Sequence, residues 1–124
     1  MARSVEVAGD EVVVRLGGLT AAAALKRELR IPCAAIVSAS AGAPAKLGLR
    51  TGGTSVPWTD YRQGRFRPGG RKAFCSFEHR ERAVTLELDG KLVPGGWEVV
   101  VVGVDDPERF VRYLGTASSR YPTP

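Results

Sequence analysis

The sequence predicts an α+β domain in which antiparallel strands lead into a helix near the C-terminus. Three runs of strand-like composition follow one another at residues 73–77, 83–88 and 97–104, each rich in β-branched or aromatic residues. The links between them are short and polar or glycine-rich, which is typical of antiparallel hairpins rather than long crossovers. A helix with capping residues is expected directly afterwards, at residues 105–115. This order of elements indicates a fold class but not a function.

The chain begins with a predicted hairpin. Residues 4–7 and 11–16 have strand-like composition, and Ala8-Gly9-Asp10 supplies a turn between them. After a pair of glycines, residues 20–29 are rich in alanine and long side chains, and Thr20 can cap their first turn. We therefore expect an extra short helix of two or three turns after the second strand.

The middle of the chain is expected to be extended. Pro32 disfavours helical backbone at the residue before it, so a strand is predicted over residues 33–38. Residues 40–72 hold many glycines and prolines, and only short strands are expected there, near residues 46–50 and Phe66.

The last strands and the helix carry clear burial patterns. Residues 83–88 alternate apolar and polar side chains, which places Thr85 and Glu87 on a wet face. The consecutive valines of residues 99–102 predict a strand that is covered on both faces. In the helix, Asp105 or Asp106 is the expected N-cap, and Gly115 is the expected stop. Its apolar face is formed by three residues, Phe110, Val111 and Leu114.

Length and composition fit a single domain. The chain has 124 residues, of which 44% are hydrophobic, and we expect one domain over residues 1–115 and a polar tail over 116–124. No apolar run is long enough for a membrane span and no signal peptide is evident, so a cytoplasmic protein is expected. Cys33 and Cys75 lack metal-type spacing and are interpreted as buried apolar residues rather than a disulfide or a reactive thiol. No cofactor or metal is expected.

Several weak motifs together resemble a known family. They are the strand Glu11–Leu16, the Arg30-Ile31-Pro32 segment, the block at residues 64–74 and the Asp105-Asp106-Pro107 sequence. In this order they resemble bacterial pleckstrin-homology-like domains, in particular a group of small actinobacterial proteins. The resemblance implies a bent antiparallel β-barrel or sandwich that is capped by a C-terminal helix.

The same resemblance bears on lipid binding. Eukaryotic relatives of this fold often bind phosphoinositide headgroups through basic residues in the first hairpin loop. The corresponding turn here, Ala8-Gly9-Asp10, carries no basic residue, so that headgroup site is not supported. A fold hosts many functions, and the scaffold alone does not make this chain a lipid-binding protein.

One basic segment stands out against a net charge of +5. It holds five cations and no acid within eleven positions: Arg62, Arg65, Arg67, Arg71 and Lys72. One hypothesis is that the segment binds an anion, as part of nucleic acid, an anionic lipid or an acidic protein surface. The alternative is that these are solvated side chains on a glycine-rich surface loop, which help to blunt an edge strand.

Catalysis has little support. His79 is the only histidine and lies in a charged turn, while Cys75 lies in a strand between aromatic residues. Trp58 follows a proline in a glycine-rich loop, where it either packs inward or forms an exposed contact. We interpret the chain as a non-enzymatic binding module that acts in protein interaction or self-association, through an exposed sheet edge or the Trp58 loop. Anion binding by the basic segment is the alternative, and an unrecognised enzyme would require a pocket with converging polar groups.

Overall fold

The computed structural model describes residues 3–17, 28–44, 49–55, 62–67 and 70–117. Within these ranges the chain forms two β-sheets and one helix. The elements are β1 Arg3–Ala8, β2 Glu11–Leu16, β3 Glu28–Pro32, β4 Ile36–Ala41, β5 Leu49–Ser55, β6 Arg62–Arg67, β7 Ala73–Phe77, β8 Ala83–Leu88, β9 Val99–Gly103 and α1 Pro107–Ala117. One sheet has the order β1-β2-β3 and the other has the order β4-β8-β9-β7-β6-β5. In the described part of the chain neither sheet closes into a barrel, so the predicted barrel is not observed.

The first sheet opens with the predicted hairpin. Ala8 pairs with Glu11, and Gly9 has a φ of +64°, a left-handed backbone that glycine adopts at little cost. Four of the six residues of the central strand β2 are apolar, and its three valines are fully buried. This confirms the predicted hairpin at the start of the chain.

The prediction of a helix over residues 20–29 is wrong at the C-terminal end of that range. Glu28 and Leu29 belong to β3, and residues 18–27 lie outside the described part of the chain. In β3, Leu29 and Ile31 are buried while Glu28 and Arg30 are exposed. This alternation suits a strand with one face on the core, and at Glu28 and Leu29 it outweighs helix propensity.

The strand predicted over residues 33–38 begins later than expected. Cys33–Ala35 form a single 3-10 turn, and β4 starts at Ile36. This turn takes the chain from one sheet to the other, and it is held by two backbone hydrogen bonds. The Cys33 amide donates to the Asp10 carbonyl at 2.8 Å, and the Asp89 amide donates to the Ala35 carbonyl at 2.8 Å. Both cysteines are buried and neither forms a disulfide, as predicted.

The six-stranded sheet is mixed, and the prediction of an all-antiparallel sheet is wrong at one pair. Strand β9 lies between β8 and β7; it is antiparallel to β8 and parallel to β7. Strands β7 and β8 therefore do not form the predicted hairpin. Their link, residues 78–82, passes the end of β9, and the Val104 amide donates to the Arg82 carbonyl at 2.9 Å.

The two faces of β9 pack against different apolar clusters. Val100 and Val102 belong to the main core, which also holds the apolar side chains of the first sheet, whereas Val99 and Val101 belong to a second cluster with Phe77. The prediction of a strand covered on both faces is confirmed, although β9 begins at residue 99 rather than 97.

Thr85 is not on a wet face as predicted. The residue is buried, and its hydroxyl donates a 2.7 Å hydrogen bond to the Gly42 carbonyl. Burial of a threonine hydroxyl is tolerated because this bond replaces its contact with water.

The helix α1 begins as its sequence predicts. Asp106 Oδ1 accepts a 3.1 Å hydrogen bond from the Arg109 amide, which makes Asp106 the N-cap. Leu114 is fully buried against the main core. Gly115 does not end the helix, which continues to Ala117, so the predicted tail at 116–124 starts inside it; residues 118–124 lie outside the described residues. In the described ranges, no helix has the length and apolar character needed to cross a membrane.

Candidate interaction surface

The strand β4 forms one edge of the six-stranded sheet. In the described sheet it pairs with β8 alone. Its sequence, Ile-Val-Ser-Ala-Ser-Ala, holds no charged residue and no proline. Edge strands usually carry charges, prolines or strong bulges that discourage pairing with another chain. Of these features β4 has only a bulge, which is seen as a register shift between Ile36 and Ser38. The pairing from Ser38 to Ala41 is regular.

The hydrogen-bonding direction along β4 follows from one observed bond. The Gly42 amide donates to the Ala83 carbonyl at 2.7 Å, so Gly42 faces β8. Hydrogen-bonded and non-hydrogen-bonded pairs alternate along an antiparallel ladder. Ser40 therefore also bonds toward β8, whereas the backbone groups of Ala39 and Ala41 point away from it. The open side of β4 thus presents two residues whose amides and carbonyls have no ladder partner in the described sheet.

The side chains of β4 leave this edge accessible. Val37 is 60% exposed, and Ser38, Ser40 and Ala41 are also exposed. Ala39 is partly buried against the main core, on the side where α1 packs on β4 and β8. The helix therefore supports one face of the strand, and small side chains surround its open edge.

Sequence analysis predicted an exposed sheet edge without identifying the strand that forms it. The available signal was the run Ser38–Ala41, which has small neutral side chains and no alternating large apolar residues. A strand of this composition buries little on either face, which is more compatible with an edge than with the centre of a sheet.

The basic segment does not form one continuous patch among its described members. Arg65 is exposed and lies opposite Phe74, on the face of the main core. Arg71 lies on the other face, because it bonds Glu87, which is opposite Val99 in the sheet. Its Nη1 and Nη2 donate to the two carboxylate oxygens at 2.5 and 3.2 Å. This hydrogen bonding with Glu87 raises the pKa of Arg71 further above its ordinary value.

The other candidate binding residues either contact neighbouring groups of the protein or are only partly described. Lys72 Nζ donates to the Gly95 carbonyl at 2.5 Å and lies 4.7 Å from the centroid of the Trp97 ring. Arg62 and Arg67 are the terminal residues of β6. Trp58 lies outside the described residues. The role of these residues in binding stays a prediction.

The two residues considered for catalysis, Cys75 and His79, lie in different environments. Cys75 is fully buried in the second apolar cluster, whereas His79 is exposed in the link after β7. Across the described ranges, no group of three or more histidine, cysteine or acidic residues is arranged to hold a metal ion.

Comparison with family models, with curated proteins and with solved structures found no match for this chain.

Proposed function

We propose that this protein is a non-enzymatic interaction module that self-associates by pairing β4 with β4 of a second copy. The observation that carries the proposal is the open, uncharged edge formed by Ser38–Ala41. Strand addition uses backbone hydrogen bonds for affinity and requires a free edge with accessible backbone groups. The outward amides and carbonyls of Ala39 and Ala41 supply them.

A second copy is the favoured partner because of charge. Antiparallel pairing of two identical strands brings the same set of side chains together twice, so like charges on an edge oppose each other. On β4 this set is neutral. The edge strand β3, in contrast, carries Glu28 and Arg30, and each is already bound within its own sheet by ion pairs.

The expected dimer is weak. Four backbone hydrogen bonds at about 1 kcal/mol each would contribute about 4 kcal/mol, and contacts of Val37 would add about 1–2 kcal/mol. Association also costs translational and rotational freedom, which reduces the affinity. The small side chains at this edge need little ordering, so they add little to that cost. The hydrogen bonds and the contacts of Val37 total about 5–6 kcal/mol, so the dissociation constant is expected to be no tighter than about 40 μM and to lie between that value and about 1 mM.

Sedimentation equilibrium over this concentration range tests the proposal. Replacement of Ser38 and Ser40 by lysine is expected to abolish the dimer, and replacement of both by glutamate is expected to do the same. Mixing the two double variants is expected to restore association, since opposite charges then meet across the edge. Restoration by mixing also demonstrates that both variants are folded. A wild-type chain that stays monomeric at about 1 mM, or a mixture that does not associate, contradicts the proposal.

The pleckstrin-homology-like assignment stays part of this proposal. It is supported by a two-sheet arrangement with a C-terminal helix packed on the core. The parallel pairing of β7 with β9 departs from the all-antiparallel family pattern.

Anion binding by the basic segment is the second candidate function. It is favoured by Arg65, which is exposed and makes no ion pair within the described ranges. Binding to anionic liposomes and to a short duplex DNA at two salt concentrations tests it. Steep loss of binding with salt, and loss on Arg65→Ala, would support this function. Binding that is absent at low salt would leave the arginines as solvated surface groups.

A further inference from the structure

The part of β4 that is able to pair with another strand is short and is bounded at both ends. At its start, a bulge displaces Val37 from the regular alternation. At its end, Gly42 has a φ of +91°, a left-handed backbone that interrupts an extended strand. The next amide, that of Ala43, already donates at 3.0 Å to a carbonyl in the turn before β8. Between these ends, the residues of the described edge that bond outward are Ala39 and Ala41.

Two outward residues allow three antiparallel registers between identical strands. Hydrogen bonds form where an outward residue faces another outward residue, and each such pair exchanges two of them. If Ala39 faces Ala41 of the second copy, Ala41 also faces Ala39, and four hydrogen bonds form. If either residue faces its own counterpart, one pair remains and two of the four bonds are lost. At the ordinary net strength of such bonds, the first register is favoured about thirtyfold over each of the others.

We propose that two copies pair antiparallel about a two-fold axis at Ser40, with Ala39 of each copy bonded to Ala41 of the other. This inference rests on the proposed function, because it specifies how the two β4 edges meet. The backbone groups of Ser40 face β8, so Ser40 meets its counterpart as a non-hydrogen-bonded pair, with Cα atoms about 4.5 Å apart. Since both copies use the same edge, the assembly closes at two copies and does not extend into a fibre.

The side chains near this axis permit a close approach. Non-hydrogen-bonded pairs bring side chains closest together, and the residue on the axis is a small, neutral serine. In the same register Ser38 lies opposite Gly42 of the second copy, where no side chain is present. Val37, which is 60% exposed, comes beside Ala43 of the second copy, so apolar groups meet at both ends of the paired segment.

Cysteine substitution on β4 tests the position of the axis. Ser40→Cys places two thiols opposite each other, close to the Cα separation of about 4.4–6.8 Å that a disulfide spans. Oxidised glutathione takes two electrons from the pair of thiols, which release two protons as the disulfide forms, and the covalent dimer is measured on a non-reducing gel. With protein at about 1 mM, we expect most of the Ser40→Cys chain to become cross-linked.

Two further variants are the matched controls. Ser38→Cys introduces an exposed thiol on the same strand, but in the proposed register the two thiols are separated by about 14 Å along the strand, too far for a bond. Ala41→Cys would cross-link in the register in which Ala41 faces its counterpart, and here it is expected to stay monomeric on the gel. The native cysteines are buried, and the wild-type chain treated in the same way measures their background.

Sedimentation equilibrium distinguishes a wrong register from an absence of self-association. Reduced Ser40→Cys is expected to associate as the wild-type chain does, which also demonstrates that the variant is folded. If both associate and Ser40→Cys does not cross-link, the two-fold axis at Ser40 is overturned while pairing through β4 stands. Cross-linking of Ser38→Cys or Ala41→Cys to the same extent as Ser40→Cys overturns it equally. A wild-type chain that stays monomeric at about 1 mM overturns both this inference and the proposed function.

Discussion

Replacement of Arg3 by methionine is expected to destabilise the protein by about 3 kcal/mol. Arg3 joins the two sheets, since it lies on β1 and bonds Ser76 and Glu78 at the end of β7. Its side chain is 9% exposed and that of Glu78 is 22% exposed. Breaking a fully buried ion pair costs about 3–5 kcal/mol of stability. Because Glu78 is partly exposed, the loss expected from breaking this pair is about 2 kcal/mol. Loss of the bond to Ser76 adds about 1 kcal/mol.

Urea denaturation measures this cost, and Arg15→Met is the matched control. Arg15 lies on the neighbouring strand and is also paired with glutamates, but its side chain is 47% exposed. The control is expected to lose less than about 1 kcal/mol, as exposed pairs do. A second arm uses Gly103→Ala, which crowds the Arg3 guanidinium. Its cost should largely disappear in the Arg3→Met background. Equal losses for Arg3→Met and Arg15→Met would refute the argument that burial determines the strength of this contact.

Three further predictions concern stability. Thr85→Val should cost about 1–2 kcal/mol in urea denaturation, because the Gly42 carbonyl loses its donor, whereas Thr85→Ser should retain most of the stability. Leu114→Ala should cost about 3 kcal/mol by the same assay, since the side chain is fully buried beneath α1; a loss below about 1 kcal/mol would mean that the helix contributes little to the core. The hydrogen bond from Arg30 lowers the pKa of Glu28, so Glu28 stabilises the fold above its ordinary pKa and this contribution is lost as the pH falls through the lowered value. Glu28→Gln should therefore reduce stability at about pH 7 and have less effect at about pH 2; an equal effect at both would contradict the assignment.

Local chemistry accounts for the parts of the fold that could be predicted from the sequence. The turn at Gly9 and the cap at Asp106 each depend on a few adjacent residues, and the structure has both. The burial of β9 on both faces could also be predicted, because consecutive valines are apolar on each side of a strand. These features need no knowledge of which strands become neighbours.

Strand order could not be obtained in this way. The link at residues 78–82 is short enough for a hairpin, and nothing within it indicates that β9 will insert between β7 and β8. The same limitation applies to the buried contact of Arg3. Arg3 lies on the same partly buried face of β1 as Val5. A cation at a position that otherwise holds apolar residues indicates that it has a buried partner. Its partner, Glu78, is distant in sequence, so the pair became evident only in the folded chain.

The position of β9 has a consequence for how the protein is made. In the described sheet, β9 alone joins the pair β4–β8 to the group β5–β6–β7. A nascent chain that has been synthesised only as far as β8 therefore holds two separate pieces of this sheet, with the edges of β7 and β8 both open. Synthesis proceeds at about 5–20 residues per second, so these edges remain exposed until residues 99–103 leave the ribosome. A stop codon before residue 99 would release a chain that cannot complete the sheet and that offers two strand edges for aggregation.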